Sequence, residues 1–272
     1  MPRFTSLKHS NMTLVFVFLS IILLLFIFVP LGKTIFSTSP GMLWDTLLEN
    51  DVYTSILLTI YAAMMATLVG LFLGVPIAYL LARHSFRGKR LLEGLIDVPI
   101  VIPHSAAGIA LLFVFGQNFF VGDFFDNLGI GFVDAVAGIV IAMMFVSVPF
   151  LIDSSKEGFK SVDVRLEKVA RTLGASPWQT FFRISLPLAW RSIFSGSVMM
   201  WARGMSEFGA VLILAYHVPF LGSYPMVAPI LVADRFESFG LDYARPVAVL
   251  VILISLVTFV FLRTLAYRGE NA

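Results

Sequence analysis

Long apolar runs without a charge divide this chain. Met12 to Leu31 is twenty uncharged residues, enough for a helix to cross a hydrocarbon core about 30 Å thick. A secretory leader would have a shorter apolar core and a small-residue cleavage site, so this run is expected to be a retained first span. Residues 32–51 form a polar loop with Lys33 against Asp45, Glu49 and Asp51. Val52 to Ala82 is again uncharged, for 31 residues. That is too long for one straight span, and Gly70, Gly74 and Pro76 predict a kinked or tilted helix that emerges before Arg83. Val98 to Gly122 is expected as a third span. Its entry carries Pro99, Pro103 and His104, and proline removes backbone donors. Two readings stay open there: a helix start at the interface, or a broken, pore-lining element packed on protein or a water cavity. Ala135 to Ile152 is the fourth expected span, a fifth starts near Ser192, and a sixth covers Ala244 to Leu262. Between the last two, Tyr216 to Tyr243 holds Pro219, Pro225 and Pro229 and is expected to be irregular.

The polar connections alternate in charge. The N-terminus, the 83–93 loop, the 154–191 loop and the C-terminus together hold fifteen Lys and Arg, whereas the alternate connections hold three. The positive-inside rule then puts both termini in the cytoplasm and gives six spans. Composition agrees with a polytopic all-α membrane protein: 58% of residues are hydrophobic and 13% charged, against about a quarter charged in soluble domains. The partner of most of this surface is a lipid bilayer. A net charge of +2 gives no reason to expect nucleic acid. With no cysteine and four His, the chain has neither thiol chemistry nor a recognisable metal spacing.

The longest polar basic segment runs from Asp163 to Pro187. Leu166, Val169, Ala170 and Leu173 share one helical face, and Arg165, Lys168 and Arg171 lie on the other. Asp163 is expected to cap the helix and Gly174 to end it in a left-handed turn. Ser176-Pro177 starts a second piece, which Pro187 is expected to close. From composition alone, this hairpin would also suit the lipid surface. Its spacing, however, resembles the cytoplasmic loop of ABC importer permeases, whose signature runs Glu-Ala-Ala, three residues, Gly, nine residues, Ile-x-Leu-Pro. Here Ala170 is followed at those intervals by Gly174, Ile184 and Leu186-Pro187. The start departs: Lys168-Val169 stand where Glu-Ala are usual, and Glu167 is one position early.

The resemblance implies that Glu167, Ala170, Gly174, Ile184, Leu186 and Pro187 form the site that couples the chain to a separate ATPase. It also implies a homodimer of this chain, two ATPase subunits that hold ATP and Mg, and an external binding protein. The chain itself has no G-x-x-x-x-G-K-[ST] loop and is not expected to be an enzyme. The implied layout is a first helix and external loop over 1–51, a type I importer permease core over 52–265 with the coupling loop at 154–191, and a cytoplasmic tail at 266–272.

The fifth expected span carries two ionisable residues. Charges at that depth cost about 2.5–3.5 kcal/mol or more and usually pair; Arg203 and Glu207 are four apart, on one helical face. A purely structural pair and a pair at the gate are both consistent with the spacing. Gly204, Gly209 and Ala210 permit close helix approach. The run Arg-x-x-x-Glu-Phe-Gly-Ala resembles the sulfate, molybdate and tungstate branch of the family, and the stretches 225–229 and 239–248 look most like archaeal-type molybdate/tungstate permeases. That branch implies translocation of a tetrahedral oxyanion. If the pair lies at the gate and the proline-rich entry lines the pore, Arg203, Gly204, Ser206, Glu207 and Pro103 are expected on the path or gate. A sulfate or thiosulfate permease is the alternative within the fold. An ion-driven secondary transporter would need more ionisable groups along a path or two related halves, and an embedded enzyme would need clustered polar groups. His104 and His217 have no evident partners in the sequence and are expected at the interface, with Asp97 and Asp153 solvated at span ends.

Overall fold

The computed structural model describes residues 11–267. Arg3, Lys8 and Arg268, which contribute to the charge asymmetry, lie outside the described residues. The helices are α1 (Asn11–Phe36), α2 (Pro40–Leu48), α3 (Asn50–Arg83), α4 (Lys89–Val101), α5 (His104–Phe115), α6 (Phe120–Asp126), α7 (Val136–Ser161), α8 (Val164–Thr172), α9 (Pro177–Thr180), a π-helical turn (Phe181–Ser185), α10 (Leu186–Met205), α11 (Gly209–Leu214), α12 (Ala228–Phe239) and α13 (Leu241–Tyr267). No strand occurs among the described residues.

Four of these helices, α1, α3, α7 and α13, are long and apolar enough to cross a membrane. They match the charge-free runs seen in the sequence. At ~1.5 Å per residue, the 34 residues of α3 extend ~50 Å, well beyond a bilayer core. Pro76 lies inside α3 without ending it. The centre of the molecule is α7 packed along α3 and α10. α7 and α10 cross at Gly196, where a side chain would meet the Leu151 backbone at 3.2 Å. α1 stands apart and touches the rest chiefly through α13; none of its apolar stretch is buried, as expected of a helix whose solvent is lipid.

The third charge-free run is not one helix. Ile102 precedes Pro103, whose ring pushes it to extended backbone (φ −73°, ψ 147°). α4 and α5 therefore meet at 114°. Pro99 stays inside α4, so the break belongs to Pro103. α5 has 12 residues, ~18 Å at the usual rise, and cannot span alone.

The second half of the hairpin also differs from expectation. Pro187 does not close it. Missing an N–H, Pro187 leaves a carbonyl free one turn earlier and crowds it. The chain absorbs this with the π turn directly before α10, and the helix continues through Pro187 to Met205. The hairpin's second arm is thus the base of the fifth membrane element, which begins earlier than Ser192.

Candidate functional site

Two sites emerge, one at the hairpin of α8 and α9 and one among the long helices. In the hairpin, Asp163 Oδ1 accepts from the Arg165 N–H at 2.9 Å and caps α8. Gly174 has φ +93° with open space around it, so its requirement is purely torsional. A reciprocal capping box then starts α9: the Gln179 N–H donates to Ser176 Oγ at 3.2 Å, and the Ser176 N–H donates to Gln179 Oε1 at 2.8 Å.

The apolar face of this hairpin points away from the protein. Leu166, Val169 and Leu173 are 47%, 57% and 82% exposed, and Trp178 and Phe182 are 70% and 55% exposed. The last two are stacked, with ring centroids 5.9 Å apart. A basic margin of Arg165, Lys168 and Arg171, all exposed, runs beside them. An exposed apolar face rimmed by charge marks a contact with a protein or a membrane surface. Of the residues expected to couple, Gly174 and Pro187 are exposed, Ala170 and Ile184 are half-buried, and Leu186 packs into the lower core. Glu167 is turned inward. Its carboxylate accepts from Arg83 Nε at 2.9 Å and pairs with Arg83 Nη2 at 2.7 Å. It also accepts from Ser185 Oγ at 2.7 Å. Trp178 and Phe182 escaped the sequence reading, although their four-residue spacing on a capped helix was the available signal.

At depth, the breaks in two membrane elements meet. α10 ends at Met205 and α11 begins at Gly209; between them, Glu207 is 1% exposed. Glu207 Oε2 accepts from Arg203 Nη2 at 3.0 Å, and Oε1 accepts from the Ala210 N–H at 2.9 Å. The carboxylate thus caps the first turn of α11, where the helix dipole favours a negative charge. Arg203 Nη1 donates to Ser206 Oγ at 3.3 Å.

His104, the first residue of α5, completes this cluster. Its ring nitrogens lie 3.1 and 2.9 Å from Arg203 Nη2, and Nδ1 is 3.4 Å from Glu207. The expectation of a partnerless interfacial His104 is therefore corrected. It is separated by about a hundred residues from partners that only the fold supplies. Close packing makes the meeting possible. A side chain at Gly209 would lie 2.8 Å from His104 Cβ and 3.1 Å from the Ser105 nitrogen; one at Gly108 would lie 3.0 Å from the Ala210 backbone. Gly204 is less constrained, with its nearest neighbour at 3.6 Å. Pro103, which makes the break, is exposed beside the cluster.

On the opposite side from the hairpin, Arg235 of α12 pairs with Glu49 at 2.7 Å and with Asp51. Tyr216, between α11 and α12, donates its backbone N–H to Asp134 at 3.1 Å. Burial, with Asp234 near its hydroxyl, raises its pKa above the ordinary value of 10.0.

Residues 70–268 match the family described as binding-protein-dependent transport system inner membrane component. The chain belongs to that family. This inner membrane component is 46% identical over 227 residues to the molybdate/tungstate transport system permease protein of Pyrococcus furiosus, covering 84% of its own length and 83% of the relative's. It is 33% identical over 213 residues, 78% and 73% of the two chains, to a probable sulfate transport system permease protein of Chlorokybus atmophyticus. Its fold matches a crystal structure of a bacterial ABC transporter involved in import of the acidic polysaccharide alginate, with a TM-score of 0.70, 17% identity and coverage of 94% and 96%. The protein therefore has the type I ABC importer permease fold, and its family makes it a membrane transport component rather than an enzyme.

Proposed function

We propose that this chain is the permease subunit of an ATP-driven importer that carries molybdate or tungstate from an external binding protein to the cytoplasm. The observation that carries the substrate is its identity to molybdate/tungstate permease proteins over most of both chains. In this reading the permease is a homodimer with six spans and both termini in the cytoplasm. The broken α4–α5 unit and the α10–α11 unit supply the two spans that are not single long apolar helices. Two ATPase subunits, which hold ATP and Mg, dock on the exposed face formed by Leu166, Val169, Leu173, Trp178 and Phe182. Their closure moves the hairpins and opens the bundle outward; hydrolysis resets it inward.

The cluster of His104, Arg203 and Glu207 is the gate. It fastens the start of α5 to the break before α11, so opening requires these helix ends to part. Arg203 is the cation nearest a passing dianion, but Glu207 cancels most of its field. A path that holds its ion weakly suits a permease, because transit needs release as much as entry. Specificity then resides in the external binding protein.

The test is ATP-driven uptake into liposomes holding the permease, its ATPase and its binding protein, with molybdate, tungstate and sulfate in competition. Molybdate and tungstate uptake that needs both ATP and binding protein is expected. Preference for sulfate would favour the second reading, which the 33% identity to a sulfate permease protein keeps in view. Uptake without ATP would overturn the mechanism.

A further inference from the structure

The inward turn of Glu167 has a mechanical meaning. Arg83, the last residue of α3, and Glu167, in the middle of α8, have side chains only 8% and 11% exposed. One guanidinium serves three elements. Its Nε and Nη2 both reach Glu167 Oε1, and Nη2 also donates to the carbonyl of Val162, at the end of α7, at 3.0 Å. Ser185, in the π turn, donates its hydroxyl to the same carboxylate oxygen. The Tyr79 hydroxyl lies 3.5 Å from the other oxygen. Below this polar group, the Tyr79 ring meets Phe159 and Phe181 edge-on at 5.2 and 4.9 Å. α3, α7, α8 and the foot of α10 thus converge on one buried carboxylate.

We propose that Arg83 and Glu167 form the joint through which the hairpin moves the membrane helices. This rests on the ATP-driven reading above. Glu167 is a positioning residue: it faces the permease's own core, and contact with the ATPase is left to the apolar face on the other side of α8. α9 continues through the π turn into α10, but α8 joins α7 only through the extended Val162 and Asp163, and on that link alone it would swing when pushed and dissipate the motion. A hairpin clamped to the ends of α3 and α7 transmits it. Lysine cannot replace Arg83 here, because a single ammonium lacks the planar fork that reaches a carboxylate and a carbonyl together. The π turn belongs to the device, since π turns recur at functional sites, and deleting one residue would rotate the positions beyond it by about 100°. The early position of this glutamate, relative to the importer signature, follows from the same geometry: one position along α8 is the difference between facing out and facing in.

The experiment uses the reconstituted complex of permease, ATPase and binding protein. Wild type is measured first, so that absence of ATP-driven uptake would sink the functional reading separately from the joint. In Glu167→Gln and Arg83→Lys, the ATPase subunits are expected to copurify at the wild-type ratio, while uptake per ATP hydrolysed falls by about tenfold, the scale of an ordinary coupling free energy. The exchanged pair Arg83→Glu with Glu167→Arg should recover part of that loss. Loss of ATPase from the purified Glu167→Gln complex would make Glu167 a docking contact and overturn the proposal, as would unchanged uptake per ATP. A second readout does not depend on transport. The chain has no cysteine, so spin labels at Phe72→Cys on α3 and Lys168→Cys on α8, in labelled permease diluted with unlabelled permease so that a dimer carries one labelled chain, report the distance within one protomer. That distribution should broaden in Glu167→Gln; an unchanged width would show that the joint does not hold the hairpin.

Discussion

Glu207 is the sharpest place to test the membrane cluster. In Glu207→Ala, Arg203 loses its anion and the Ala210 N–H loses its acceptor. Removing one partner of a fully buried pair costs about 3–5 kcal/mol. Because the Arg203 side chain is 23% exposed, part of its charge stays solvated, so the lower part of that range or less applies. An unsatisfied buried N–H adds about 1–3 kcal/mol. Together the two give about 4 kcal/mol. For a chain of this size, 1 kcal/mol corresponds to about 2–4 °C in Tm, so Glu207→Ala should melt roughly 8–16 °C below wild type. The double variant Arg203→Met with Glu207→Leu retains chiefly the cost of the N–H, because apolar replacement of both charges is often neutral and the His104 ring, which loses both partners, is 43% exposed and can be solvated. It should recover about half of the loss. The assay is thermal unfolding in one detergent, followed by tryptophan fluorescence, on wild type, Glu207→Ala and the double variant. A Glu207→Ala protein that melts within ~2 °C of wild type, on the same scale, would refute the account of the pair. So would a double variant less stable than Glu207→Ala.

Three further outcomes are expected. Gly174→Val forces a β-branched residue into a left-handed turn with φ +93°, a cost of roughly 1–2 kcal/mol or more; membrane levels should hold while uptake per ATP falls, and normal coupling would contradict the assigned turn. Leu173→Asp and Trp178→Asp, at exposed positions, should leave Tm nearly unchanged, as surface substitutions usually do within about 0.5 kcal/mol. They should nonetheless abolish copurification of the ATPase, and retention of a full complement would remove the docking face. Raising the pH tests Tyr216: its raised pKa means that the fold favours the neutral phenol, so its contribution is complete below pH 10 and lost as pH climbs through the raised value. Tyr216→Phe should flatten that alkaline decline in Tm, and identical curves would place the titrating group elsewhere.

The sequence determined what depends on neighbours along the chain. Charge-free runs marked α1, α3, α7 and α13, because a membrane helix needs only length and apolarity. Asp163, Gly174 and Ser176 announced the ends of the hairpin helices, since caps and left-handed turns are satisfied within a few residues. The Arg203–Glu207 pair was legible because four residues make one helical turn. Tertiary structure decided the rest. An apolar helix presents little contrast between its faces when both lipid and neighbouring helices are apolar, so periodicity could not say that His104 meets Arg203. In α8 periodicity separated an apolar from a basic face, but it could not say that the apolar face with Leu173 is left outward while Glu167 turns in to Arg83. Pro103 and Pro187 carry the same local chemistry, yet one bends the chain by 114° and the other sits within a continuing helix. The difference lies in whether the freed carbonyl and crowded turn are absorbed nearby. Before α10 a π turn absorbs them, whereas at α5 Ile102 turns extended and the chain bends, with Gly108 and Gly209 in close contacts between segments distant in sequence.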